Sequence, residues 1–154
     1  MLKIRDFSVD DTESLTEISN EAFGDEITRG MSPFSPKRFL DLSEKTGVRV
    51  FVAEDNGNIL GFLALAEGDI EIPAQIHLVA VTKEFRGKGI GKELVKKGVK
   101  HIEAIGKRKV KLFVRPSNAP MQKVCIALGF VPEAYLRREY LERDLILYSF
   151  FGSQ

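Results

Sequence analysis

The sequence predicts an α/β (α+β) domain with a mixed, partly parallel central sheet of about seven strands and helices on both faces. Three observations carry this expectation. From Ile76 onward, segments of strand length alternate with segments of helical periodicity, giving a β-α-β-α-β core. The run Ile76–Val81 (Ile-His-Leu-Val-Ala-Val) is strongly apolar, as a strand covered on both faces should be. Asp55-Asn56-Gly57-Asn58 separates two apolar segments and marks a hairpin, because Asn-Gly readily supplies positive φ.

Each element follows in order. Leu2–Phe7 alternates and reads as a short strand. Asp10 or Asp11 caps a helix carrying Leu15, Ile18, Ala22 and Phe23. Gly24–Phe34, with Gly24, Gly30 and Pro33, reads as a loop. Ser35-Pro36 opens a helix through Phe39, Leu40 and Leu42 to Lys45, which Gly47 ends. Val48–Glu54 and Ile59–Ala66 form the hairpin, and Glu67–Ala74 is a polar loop. After Ile76–Val81, the turn Arg86-Gly87-Lys88-Gly89 leads into a long helix. Ile90, Leu94, Gly98, Ile102 and Ile105 line one stripe of it, and Gly106 closes it. Val110–Val114 is a strand, Ser117-Asn118 caps a helix ending at Gly129, and Phe130–Glu139 and Leu145–Phe150 are a final strand pair.

Composition narrows the function classes. The 154 residues (44% hydrophobic, 29% charged) suit one domain spanning 1–154. One cysteine, Cys125, excludes an intrachain disulfide and a cysteine-built zinc site. His77 and His101 do not supply a metal site either, so no metal is expected. No apolar run approaches the roughly 18 residues a membrane span requires. The charged start, Met1-Leu2-Lys3-Ile4-Arg5-Asp6, is unlike a signal peptide, so the expectation is a soluble cytoplasmic chain. A net charge of +1 predicts no general affinity for nucleic acid.

The chemistry sits in Val79–Leu94: a buried strand, a glycine-rich turn and a helix N-terminus. Unpaired N–H groups and the helix dipole make such a terminus an anion site, usually for phosphate. A side chain at 87, 89 or 91 would hold a pyrophosphate away from the backbone, and Arg86, Lys88 and Lys92 add cationic donors. A Walker A loop is excluded, since Lys92 precedes Glu93 and position 86 is Arg. The dinucleotide fingerprint fails on the spacing of Gly87, Gly89 and Gly91.

Arg86, Gly89 and Gly91 instead match the R/Q-x-x-G-x-G/A signature of the GNAT superfamily of N-acetyltransferases. Asn118, the helix ending in Gly129-Phe130 and the order of elements extend the resemblance over nearly the whole chain. The resemblance implies a GNAT-like acyl-CoA N-acyltransferase fold and transfer of acetyl from acetyl-CoA to a primary amine, by direct attack in a ternary complex. It places the coenzyme pyrophosphate on Arg86, Gly87, Lys88, Gly89, Ile90, Gly91 and Lys92. It pairs the pantetheine arm with Val79 and Val81, on a strand that splays from the next at a bulge, and the thioester enters the gap. A backbone N–H near Ala80 or Val81 would polarise the thioester carbonyl. Asn118 matches a residue that binds the pantetheine arm, and it also reads as a helix cap.

Where relatives often carry a Tyr acid, this chain has Cys125. The thiol is either a proton donor or a small residue lining the pocket or the core. Tyr135, Tyr140 and Tyr148 are substitutes that the sequence does not separate. Glu71, just before the pantetheine strand, is the candidate base, with His77 and Glu54 behind it. His77 shares parity with Val79 and Val81, and a His satisfied within the sheet is its other reading. The acceptor falls between Phe23–Phe39 and the hairpin near Leu136–Asp144. Asp25 and Glu26 suit a cationic amine, whereas Arg29, Arg137 and Arg138 suit a carboxylate. Ten basic residues between Arg86 and Lys111 include the stripe Lys92, Lys96 and Lys100, which reads as a solvated face or as a surface for the ribose 3′-phosphate of the cofactor, an acidic protein or RNA. The resemblance also points to a homodimer. The alternative function is a non-catalytic acyl-CoA-binding regulatory module.

Overall fold

The computed structural model describes residues 1–152. The strands are β1 (Leu2–Asp6), β2 (Val48–Asp55), β3 (Asn58–Ala66), β4 (Ala74–Val81), β5 (Lys109–Val114), β6 (Val131–Tyr140) and β7 (Arg143–Phe151). The helices are α1 (Thr12–Ala22), α2 (Gly24–Thr28), α3 (Pro36–Glu44), α4 (Ile90–Ala104) and α5 (Ala119–Ala127). One seven-stranded sheet has the order β1-β2-β3-β4-β5-β7-β6. Only β4 and β5 run parallel; every other neighbouring pair is antiparallel.

Two apolar layers hold the sheet. Helices α4 and α5 cover one face through Leu94, Val95, Ile102 and Cys125, packed against Leu63, Leu65, Ile76, Val110 and Leu112. Helices α1 and α3 cover the other through Leu15, Ile18 and Phe39, against Val50, Val52, Phe62 and Ala80. The interior of β3 is buried throughout because both layers meet on it. Gly98 belongs to the apolar stripe of α4 because a Cβ there would lie 3.3 Å from both Leu63 and Leu65, so the helix crosses β3 closely.

The Asn56-Gly57 turn has positive φ at both residues, as a two-residue hairpin with the sheet's own twist requires. Two local expectations change. Asp11 stands at the N-cap of α1, but its carboxylate makes no cap bond there: it accepts from Ser8 N–H (2.7 Å) and takes both arms of Arg5 (2.8 and 2.9 Å), while Ser8 Oγ caps the preceding 3-10 turn by accepting from Asp10 N–H. The segment read as a loop contains α2, a five-residue helix too short for periodicity to register.

Candidate active site

Strand β4 stays with β3 along its length but stays with β5 only where Ala74–Ile76 face Val110–Leu112. The separation begins at a bulge. Ala64 faces Leu78 and Leu65 faces Ile76, so His77 is the extra residue. Thr82 N–H donates to Leu60 O at 2.8 Å, which fixes the pairing phase. By antiparallel alternation, Leu78 and Ala80 turn their main-chain groups to β3, while Val79 and Val81 turn theirs to the free edge. The result is a V-shaped seam with an unpaired strand edge along one arm.

The open end of the seam meets the start of α4. Gly89 caps the helix at φ +84° and Gly87 lies at φ +78°, a region costly for any residue with a side chain. A Cβ at either position would meet nothing within 4 Å. From Gly87 to Lys92 no N–H has a backbone acceptor among the described residues; the next amide, Glu93 N–H, donates to Gly89 O at 3.1 Å. Lys88 and Lys92 are exposed beside these amides. The concave strip of free donors fits a diphosphate and has no room-filling side chain. Ile90 is the anchor beneath, buried in the α4 layer.

Arg86 is tied back rather than free. Its Nε donates to Val81 O (3.0 Å) and one terminal nitrogen holds both oxygens of Glu21 on α1. Of the free-edge groups, the Val81 carbonyl is therefore already engaged, leaving Val79 N–H, Val79 C=O and Val81 N–H. The Ala80 N–H belongs to the β3 side and does not face the seam. Asn118 caps α5 by accepting from Met121 N–H (3.2 Å), while its side-chain NH2 donates to no protein group among the described residues. The cap and a ligand contact are thus compatible.

The two expected catalytic residues are placed elsewhere. Glu71 is exposed in the loop before β4, against Lys107 and Arg108, at the end where β4 and β5 are still paired. Its N–H donates to Asp69 (2.8 Å), and the loop carbonyls of Asp69 and Ile72 accept from Lys107. Cys125 has no exposed surface and packs in the α4–α5 layer; burial pushes its thiol up to about 12. A thiol so placed is a core residue. Tyr135 donates to Asp144 (2.8 Å), and Tyr148 is buried with its hydroxyl on Gln122 of α5 (3.2 Å).

His77 is the residue whose importance rises. The bulge breaks the strand's period of two, so Ile76 and Val79 both face the α4 layer while His77 joins Leu78 on the α3 side. There it lines a groove of about 550 Å³ with Phe34, Arg38, Phe39 and Leu42. Although the side chain is exposed, its surroundings withdraw enough water to lower the imidazole pKa. No periodicity in the sequence reveals this, because a bulge is set by the pairing of two strands.

The turn from α1 to α2 roofs the seam. Glu21 pairs with Arg86 beyond the end of β4 (2.9 Å), whereas Glu26 pairs with Arg115 beyond the end of β5 (2.8 Å). Asp25 takes Arg115, Arg29 and Arg143. Arg143 comes from the β6–β7 hairpin, whose Leu141 lies beside Gly30. The two segments expected to bind an acceptor therefore meet. The lysine stripe Lys92, Lys96 and Lys100 lies exposed on α4.

A parallel strand pair that splays beside a glycine-lined amide strip defines a class of protein built to seat an extended ligand with an anionic head. Residues 12–130 match the acetyltransferase (GNAT) family, and the chain belongs to it. An N-acetyltransferase of Methanocaldococcus jannaschii is 29% identical over 139 residues, covering 82% of this chain and 59% of the relative. The chain thus spans less than two thirds of that relative's length. A Bacillus subtilis protein named as a [ribosomal protein bS18]-alanine N-acetyltransferase is 25% identical over 140 residues, covering 90% of this chain and 87% of the relative. Among solved structures, a Salmonella typhimurium protein named as an acetyltransferase, with its cofactor acetyl-CoA, superposes with a TM-score of 0.86 at 20% identity, covering 99% and 95% of the two chains. That likeness establishes the fold. Among the described residues, no group of three or more His, Cys, Asp or Glu is placed to hold a metal, and no helix is long and apolar enough to cross a membrane.

Proposed function

We propose that the chain transfers acetyl from acetyl-CoA to a primary amine. The observation that carries this is the seam: β4 leaves β5 at the His77 bulge, and the gap ends at the amide strip of Gly87–Lys92. The strip receives the pyrophosphate. The pantetheine arm lies along the free edge of β4 as an added strand, using Val79 and Val81. The amine enters from the α1–α3 side, attacks the thioester directly, and the thiolate departs. A thiol pKa near 8.5 puts the thiolate only about 2 kcal/mol above the thiol at pH 7, so a proton from water suffices and Cys125 is not needed.

The acceptor we favour is an α-amino group at a peptide N-terminus. The bS18-alanine relative, matched over most of both chains, supports this. So does the site's chemistry. An α-amine of pKa about 8 is neutral in roughly one molecule in ten at pH 7, against about one in a few thousand for lysine. A weak base such as His77, acting through a water, can serve the former. We place the protein in the cytoplasm as one domain over 1–154, supported by its single, buried cysteine. We also place it as a homodimer, supported by exposed Val131 on the edge strand β6 and exposed Phe151 on its neighbour β7; gel filtration at monomer mass overturns that point.

Calorimetric titration with acetyl-CoA tests the reading. Wild type should bind, and Gly89→Gln, which forces a side chain into the left-handed cap and the cradle, should bind at least tenfold more weakly (about 1.4 kcal/mol). Thiol release with an alanine-initiated tripeptide amide then tests turnover. A folded wild type that binds no acetyl-CoA removes the proposal.

A further inference from the structure

We infer that the acceptor is an acidic N-terminal segment, in which a side-chain carboxylate at the second or third residue is recognised by Arg38 and Lys45. The inference rests on the acetyl-transfer reading and deepens it. The groove of about 550 Å³ beside His77 lies between one flank of α3 and the bulged part of β4. Arg38, Leu42 and Lys45 stand at spacings of four and three, so they line it from the same side of the helix and its C-cap. His77 and Leu78 line it from β4, just beyond Ile76, the last residue of that strand paired with β5. An amine that passes its proton to His77 through a water sits at this wall. The residues behind that amine then have the groove to run along.

The charges of this groove do not balance. Asp41, the one carboxylate in its lining, is taken by Lys37 at 2.7 Å, and Glu44 also acts on Lys37. Among the described residues, Arg38 and Lys45 have no carboxylate partner. Arg38 is nonetheless held in place. Its guanidinium lies 4.0 Å from the centre of the Phe34 ring, and Nη1 donates to Ser32 O at 2.9 Å. Its Nε and Nη2 donate to no protein group among the described residues, and the side chain is half-buried rather than enclosed. A planar fork fixed on one arm and open on the other is suited to a carboxylate. Lys45 is exposed two turns further on, roughly 10 Å along the helix axis. Half-buried Leu42 and Leu78 give the carbon stem of an acidic side chain an apolar floor. Arg29, which the sequence offered as a carboxylate holder, is instead paired with Asp25 in the roof.

The test compares three tripeptide amides, Ala-Glu-Glu, Ala-Gln-Gln and Ala-Lys-Lys, by thiol release at low ionic strength. The amide cap removes the terminal carboxylate, and Glu and Gln have the same shape. Wild type should show a KM for Ala-Glu-Glu about fivefold below that for Ala-Gln-Gln, with Ala-Lys-Lys weakest, and added salt should narrow the gap. Arg38→Gln should bring the ratio of the first two below about twofold, and so should Lys45→Glu, a change at an exposed position with no ion pair to lose. Lys3→Gln removes a positive charge on β1, at the far edge of the sheet, and should keep the wild-type ratio. Equal KM values for the three peptides in wild type overturn this inference alone. A ratio that survives in both Arg38→Gln and Lys45→Glu overturns it too, as does a ratio that Lys3→Gln abolishes equally, since the preference would then belong to the overall charge. No turnover of any of the three, by a wild type that binds acetyl-CoA, removes the peptide acceptor and this inference with it.

Discussion

At the scale of single residues, His77 is the base we propose, in a position that a regular strand would not have given it. As the extra residue of the bulge, it faces the α3 groove, and the loss of water around its ring lowers its pKa. A base with a lowered pKa is neutral over a wider range, so it loses function only as pH falls through its folded value, below 6.5. The kcat/KM profile for the tripeptide amide rises with unit slope below the amine's own pKa of about 8, and below 6.5 protonation of the base should steepen it toward a slope of about two. His77→Gln should leave only the unit slope and lower kcat by about 100-fold. A steeper limb that survives in the variant would assign the proton to another group. Glu71 offers the contrast: its sequence position before β4 is suitable, but the strand is still paired with β5 there. Cys125 was legible as either acid or core, and only the packing decided.

At the scale of elements, the strands and the long helix were legible because burial imposes periods on them. The glycine cradle was legible because positive φ selects glycine at 87 and 89. The segment Gly24–Thr28 was not, since five residues make little more than one turn and are ordered by tertiary ion pairs. Nor was the engagement of Arg86: its partner Glu21 is 65 residues away in sequence. Asn118 was read as cap or ligand contact, and the structure realises the cap while leaving its NH2 to donate. The β6–β7 tip lies at the limit of such reading. Leu141 and Glu142 both adopt positive φ, where sequence rules anticipate Asn or Gly, and the contacts of Leu141 and Arg143 with the roof account for keeping them.

At the scale of the whole molecule, the sheet is two blocks, β1–β4 and β5–β7–β6, sharing only three paired positions between β4 and β5. Above that joint they are spanned by α1 and α2 through Arg86 and Arg115. A ligand in the seam would complete the missing pairing, so amide exchange should report it with residue resolution. In the free protein, Val79 and Val81 amides face the open edge and should exchange fast, while Ala80, turned to β3, should be slow. Saturating acetyl-CoA should protect Val79 and Val81 and change Ala80 little. A uniform slowing of all three would indicate general stabilisation by a ligand bound elsewhere. Protection confined to Gly87–Lys92 would mean that the cradle holds the phosphates while the arm does not enter between the blocks. The alternating pattern is specific to a ligand that takes the place of a strand.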